Sequence, residues 1–154
     1  MVVPLSELTP LVPDCATRPI EESFNWQEWA RGSGERTAYL VVFRSKRKPM
    51  ADPVLLEAYD FGAYLGAQTV PGLIQYYRGL PDEDGHCVSF CFWERRDDAV
   101  HASRHPLHSS AVAIVDQVYE WFRLERYVIE MTDAPAGVRF NALTGCEHAH
   151  MHAG

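Results

Sequence analysis

Along the chain the apolar positions change their spacing in a way that separates strands from helices. From Thr37 to Arg44 the run Thr-Ala-Tyr-Leu-Val-Val-Phe-Arg is aromatic, β-branched and apolar on both parities, which predicts a first strand covered on both faces. Such a strand needs a helix against one side and a partner sheet or barrel interior against the other. From Val54 to Gln68 the spacing becomes three and four, with Leu55, Ala58, Tyr59, Gly62 and Leu65 on one predicted helical face. Asp52 before Pro53 supplies an N-cap with proline at the first helical position. Val70-Pro-Gly72 ends the helix, and residues 73–78 form a second strand. Pro81-Asp-Glu-Asp-Gly85 is a hairpin-type turn leading into a third strand, His86 to Trp93. Residues 95–122 are helical in pattern but interrupted at Pro106, with Ala111, Val115, Val118 and Phe122 on one stripe. Leu124 to Met131 closes as a fourth strand, and from Thr132 the chain reads as irregular.

The order β-α-β-β-α-β predicts an α+β protein of ferredoxin-like type, an antiparallel sheet with helices on one face. The predicted divisions are an N-terminal arm over 1–36, the ferredoxin-like domain over 37–131 and a C-terminal extension over 132–154. Within the arm, Phe24-Asn-Trp-Gln-Glu-Trp-Ala30 predicts a short helix with Trp26 and Trp29 on one side, packed on the domain or on a partner subunit.

Composition narrows the class. With 154 residues, 47% hydrophobic and 23% charged, the chain is expected to bury its own core as one globular unit. No apolar run approaches the roughly 20 residues of a membrane helix, and the start lacks a signal-peptide pattern, so a cytoplasmic protein without membrane contact is expected. Fourteen basic against 21 acidic side chains give a formal charge of −7, which argues against nucleic acid as a partner. The one dense basic stretch, Arg44-Ser-Lys-Arg-Lys48, reads as a solvated strand end. Cys15, Cys87, Cys91 and Cys146 form no CxxC pair. Cys87 and Cys91 lie about 13 Å apart along one strand, beyond the roughly 7 Å between the Cα atoms of a disulfide, so reduced thiols are expected.

The stretch Trp93-Glu-Arg-Arg-Asp-Asp-Ala99, followed by His101, Ser103, Pro106, His108 and Ala111, resembles the antibiotic-biosynthesis monooxygenase superfamily, as does Tyr119-Glu-Trp-Phe-Arg-Leu-Glu-Arg-Tyr127. The likeness covers roughly residues 37–131 as a pattern. It implies a dimeric α/β barrel, a homodimer formed through the sheets, with flat aromatic molecules bound between sheet and helices. Some such proteins oxidise substrates without metal or flavin, some degrade haem, and others isomerise or cyclise. The Asn/Trp/His set of the haem-degrading pattern is absent from this chain.

Candidate chemistry gathers at a few positions. His108 is the candidate general base, because a neutral imidazole titrates near working pH. Arg126, flanked by Leu124 and Val128, and Tyr119 are candidates to hold a developing oxyanion. Trp93, Ser89, Phe90, Tyr76 and Tyr127 are candidate substrate contacts, mixing aromatic surface with a few polar groups as small-molecule sites do. His101 and His105, at i and i+4, carry a weak metal signal. In the tail, His148, His150 and His152 alternate and would face one side of an extended strand, a possible Zn, Cu or Ni site. No dinucleotide loop, P-loop or nucleophile elbow is present. The expected function is a small-molecule enzyme acting on a planar, partly apolar substrate without a cofactor, by proton abstraction leading to oxygenation, cyclisation or isomerisation. The alternatives are a non-catalytic ligand-binding protein and a metal-dependent enzyme using the His-rich tail.

Overall fold

The computed structural model describes residues 7–132 and 137–143. Numbered in chain order, the elements are α1 (Ile20–Ser23), α2 (Trp26–Ala30), β1 (Arg36–Arg47), α3 (Pro53–Gln68), β2 (Leu73–Tyr77), β3 (His86–Trp93), α4 (Arg96–Ser103), α5 (Pro106–Ala113), α6 (Val115–Val118), β4 (Tyr119–Met131) and β5 (Val138–Ala142). The strands form one sheet in the order β2-β3-β1-β4-β5, every neighbouring pair antiparallel. This is the ferredoxin-like β-α-β-β-α-β arrangement with a fifth strand added beside β4. No helix among the described residues is long and apolar enough to cross a membrane.

The β3 boundaries match the sequence reading, and α3 starts as expected: the Asp52 carboxylate accepts from the backbone N–H of Val54 at 2.9 Å, with Pro53 at the first helical position. Three expectations are corrected. The predicted helical stripe ending at Phe122 stops at Val118, and β4 begins at Tyr119, because Tyr-Glu-Trp-Phe-Arg carries strand-forming aromatics that pair with the far end of β1. Residues 138–142, read as irregular, pair with β4 as β5. The buried face of α3 is also rotated by about one residue: Leu56, Gly66 and Ala67 are buried, whereas Ala58 and Leu65 are exposed.

The two-sided first strand is covered from within the chain. Residues 8–30 lie across one face of the sheet and bury Leu8, Ile20, Phe24, Trp26, Trp29 and Ala30 against Leu40, Val42, Phe90, Phe92 and Ile129. Phe24 meets Phe90 edge-on at 5.0 Å between ring centroids, and Trp29 meets Phe92 at 5.1 Å. Such pairs contribute about 0.5–1.5 kcal/mol each beyond their area. The arm is also hydrogen-bonded in place. The Gln75 side-chain amide donates to Leu8 O and accepts from Leu8 N, both at 2.9 Å.

Arg44 fixes the middle of the arm. Its side chain, only 4% exposed, donates from Nε to Glu125 Oε2 at 2.7 Å and from its terminal nitrogens to the carbonyls of Ala16 at 2.9 Å and Arg18 at 2.7 Å. Arg44 is therefore not part of a solvated strand end, and the basic stretch begins only after it. Burial pushes the Glu125 carboxyl up, but the Arg44 charge and hydrogen bonds from Tyr127, Arg123 and Arg44 outweigh this and hold it below the usual carboxylate range.

Arg44→Ala leaves Glu125 to Arg123 and Tyr127 but strands the arm carbonyls; the expected loss is about 1–3 kcal/mol in urea unfolding, and a loss near zero would show that the arm is not held there. Because the folded Glu125 pKa lies below the unfolded value of 4.5, its contribution is present above that pH and fades as pH falls through the folded value. Glu125→Gln should accordingly flatten the acid limb of stability.

Candidate functional site

The opposite face of the sheet is roofed by α3, α4 and α5, and between roof and sheet lies a cavity of about 520 Å³. Strand alternation supplies its floor: Tyr39, Val41 and Phe43 from β1, Ser89, Cys91 and Trp93 from β3, Tyr76 from β2, and Phe122, Leu124 and Arg126 from β4. Register places Tyr76, Cys91, Val41 and Arg126 in one row across four strands. Two apolar clusters bracket the cavity. One holds Tyr39, Ala67, Val70, Trp93 and Ala102, and the other joins Leu56, Ile114 and Val118 to Tyr59 and Tyr119.

His108 reaches this cavity from α5. Burial lowers its pKa from 6.5, partly offset by a hydrogen bond with the Ser103 carbonyl, and nearby His105 lowers it further. The imidazole is thus neutral at pH 7. A neutral imidazole carries a lone pair on one ring nitrogen, as a general base requires.

Tyr119 stays protonated, its pKa pushed up to about 12 chiefly by burial and then by the Asp60 charge. Burial also raises Tyr76, strongly. Both phenols remain hydrogen-bond donors. Asp60 lines the cavity but is held by Arg78, whose Nη2 lies 3.1 Å from its Oδ2. Trp93 is 1% exposed, and its indole Nε1–H, beside the weakly accepting Cys91 sulfur, makes no hydrogen bond of good geometry among the described residues. A buried donor without a good acceptor is uncommon enough to need an explanation.

The structure thus brings His108, Arg126, Tyr119, Trp93, Ser89 and Tyr76 to one cavity. The Ser89 oxygen there is already engaged, accepting from the Gly79 N–H at 3.2 Å. Phe90 and Tyr127 are placed differently. The Phe90 ring packs among Phe24, Trp26 and Tyr77 on the arm side, so that it borders the cavity with its backbone. Tyr127 donates to Glu125 Oε1 at 2.9 Å and packs against Phe140 on that same side. His105 caps α5, its Nδ1 accepting from Leu107 N at 3.1 Å, and His101 is exposed on α4. His148, His150 and His152 lie outside the described residues. Among the described residues, one group of side chains has metal-ligand spacing, Asp82, Asp84 and His86, around the exposed β2–β3 turn.

Asp60 went unnoticed in the sequence; its signal was an acidic residue one turn from Leu56 on the concave side of α3. Arg44 was legible as a charge ending an apolar run, but its burial depends on the arm.

Residues 1–142 match the PB2B2.08-like family. The chain belongs to that family. A curated relative, UPF0643 protein PB2B2.08 of Schizosaccharomyces pombe (strain 972), is 27% identical over 114 residues, covering 70% of this chain and 52% of the relative. The chain therefore spans about half the length of the curated relative it matches. Among solved structures, a conserved protein from Methanosarcina mazei Go1 superposes with a TM-score of 0.52 at 12% identity, covering 58% of this chain and 90% of its own. The N63A mutant of SnoaB, a cofactor-independent oxygenase from Streptomyces nogalater, gives 0.48 at 15% identity, covering 59% and 89%. The Methanosarcina likeness supports the fold of the PB2B2.08-like chain and leaves its chemistry to be argued from the cavity.

The thiols of β3 are poor nucleophiles. Burial pushes Cys91 and Cys87 up to about 11 and also raises Cys15, which lies on the arm away from the cavity. Iodoacetamide at pH 8 should alkylate Cys15 well before Cys87 or Cys91 in the folded protein, as read by peptide mass mapping. Cys91 modified first would mean the cavity stands open to solvent.

Proposed function

We propose that the cavity binds a planar, partly apolar small molecule and that His108 removes a proton from it. The observation that carries this reading is the His108 imidazole, its pKa lowered by burial, lining a predominantly apolar space of about 520 Å³. The proton passes from substrate to the free ring nitrogen of His108, leaving the bonding pair as a carbanion or enolate. Arg126 and the Tyr119 hydroxyl stabilise the oxyanion form of that charge. The Trp93 N–H then finds a good acceptor on the ligand, and its ring offers a stacking face. The anion reacts with dioxygen, closes a ring or is reprotonated at another carbon, giving oxygenation, cyclisation or isomerisation, none of which draws on a bound cofactor.

A second reading, a passive binder, draws on Asp60 and Ser89 being already engaged within the protein. A metal-dependent enzyme built on His148, His150 and His152 rests on sequence alone. A homodimer also belongs to the proposal, under one constraint: the arm fills one face of the sheet, so a pair of chains meets elsewhere. Sedimentation should then give twice the chain mass; a monomer at tens of micromolar removes the dimer.

Screening enolisable planar ketones and phenols while following oxygen uptake and product mass separates the readings. Turnover should fall by about 100-fold or more in His108→Gln, the scale of general-base catalysis, with the melting temperature retained. Wild-type activity should be lost as pH falls through a value below 6.5 and be level above neutrality. Binding without turnover across the panel favours the passive reading, and unchanged turnover in His108→Gln removes that residue from the mechanism.

A further inference from the structure

Ligands must enter the cavity by some route, and the sheet offers none, because its other face is sealed by residues 8–30. The roof is not uniform. α3 buries Leu56, Gly66 and Ala67, and α4 buries Ala102, whereas α5 contains no fully buried residue. This eight-residue helix nevertheless presents His108, Ala111 and Val112 to the cavity, while Leu107 and Val112 remain 40% and 55% exposed. The lack of fully buried residues is one mark of a segment that opens locally.

α5 packs chiefly on α3 and touches α4 and α6 at its two ends. A joint at Arg104 and His105 separates α5 from α4, His105 leaving helical geometry with ψ 138°, and a second joint at Ile114 separates α5 from α6. Where α5 rests on α3 it meets glycines: a Cβ built on Gly66 would come within 2.9 Å of His105 Nδ1, and one on Gly62 within 4.0 Å of Leu107 Cβ. At these two points α3 presents no side chain to interlock with α5, so the helices meet over a smooth track.

Resting on the reading that the cavity takes a small molecule, we propose that α5 is its gate. The helix moves off the Gly62–Gly66 track about its two joints to admit the ligand, then returns to set His108 over it. Catalytic base and door are the same eight residues, so the base is in place only when the cavity is closed.

The 4.0 Å between the Gly62 and Leu107 Cβ positions lies within the range of a disulfide. The double variant Gly62→Cys/Leu107→Cys, oxidised and then reduced, therefore pins and releases α5 in one protein. Anilinonaphthalenesulfonate, a fluorescent planar apolar anion, serves as the probe in stopped-flow mixing, with wild type carried through the same redox treatment to control for the native cysteines. The expected result is that the oxidised variant binds and releases the probe at least tenfold more slowly than its reduced form, which matches wild type. Equal rates in the two forms overturn the gate and leave the cavity reading standing. No binding of the probe to wild type overturns the cavity reading, and the gate with it. Hydrogen exchange on wild type gives an independent check: α5 amides should exchange faster than those of α3 and slow when the probe is bound. Amides of α5 as protected as those of β1 without probe overturn the gate.

Discussion

A guanidinium buried beneath a segment of irregular chain is tolerable only when nearly every donor has an acceptor. Arg44 meets that condition by joining two parts of the molecule that are distant in sequence. Glu125 on the neighbouring strand neutralises it, and backbone carbonyls at Cys15, Ala16 and Arg18 complete its hydrogen bonds. The carbonyls of the arm, in turn, are kept from being orphaned under the same layer. Around this polar centre the arm delivers Phe24, Trp26 and Trp29 to the sheet, and the β1 strand, apolar on both sides, is closed without leaving its own chain. The cavity on the far side depends on that closure, since its floor is the other face of the same strands.

The alternation of β1 and β3 was readable in the sequence and did most to define the site. Odd residues of β3, Ser89, Cys91 and Trp93, line the cavity, and the even residues Val88, Phe90 and Phe92 face the arm. Ser89 and Phe90 could therefore never have pointed into one pocket, and the parity alone was enough to separate them. Tyr127 and Arg126 are divided by the same rule.

What the sequence hid was long-range. Both parities of β1 are apolar, so nothing local says whether the arm, a helix or another chain covers each face. The arm's aromatics suggested cover without naming the face. The start of β4 was obscured because Val115, Val118 and Phe122 satisfy helical spacing, and only the pairing of Tyr119 and Trp121 with the end of β1 turns the chain from Tyr119 onward into strand. The rotation of α3 has a similar origin: glycines count weakly in an apolar stripe, yet Gly62 and Gly66 receive the neighbouring helix and so set which face turns inward.

The sheet keeps its long strands, β1 and β4, in the interior and ends on two strands of five residues each, β2 and β5. Unpaired backbone groups along a sheet margin are templates for association with other chains, and the hazard grows with the length of the exposed margin. Here each margin is short, and beside β2 the Gln75 amide and Leu8 backbone satisfy each other. Among the described residues, the long aromatic and β-branched strands are thus never the outermost ones.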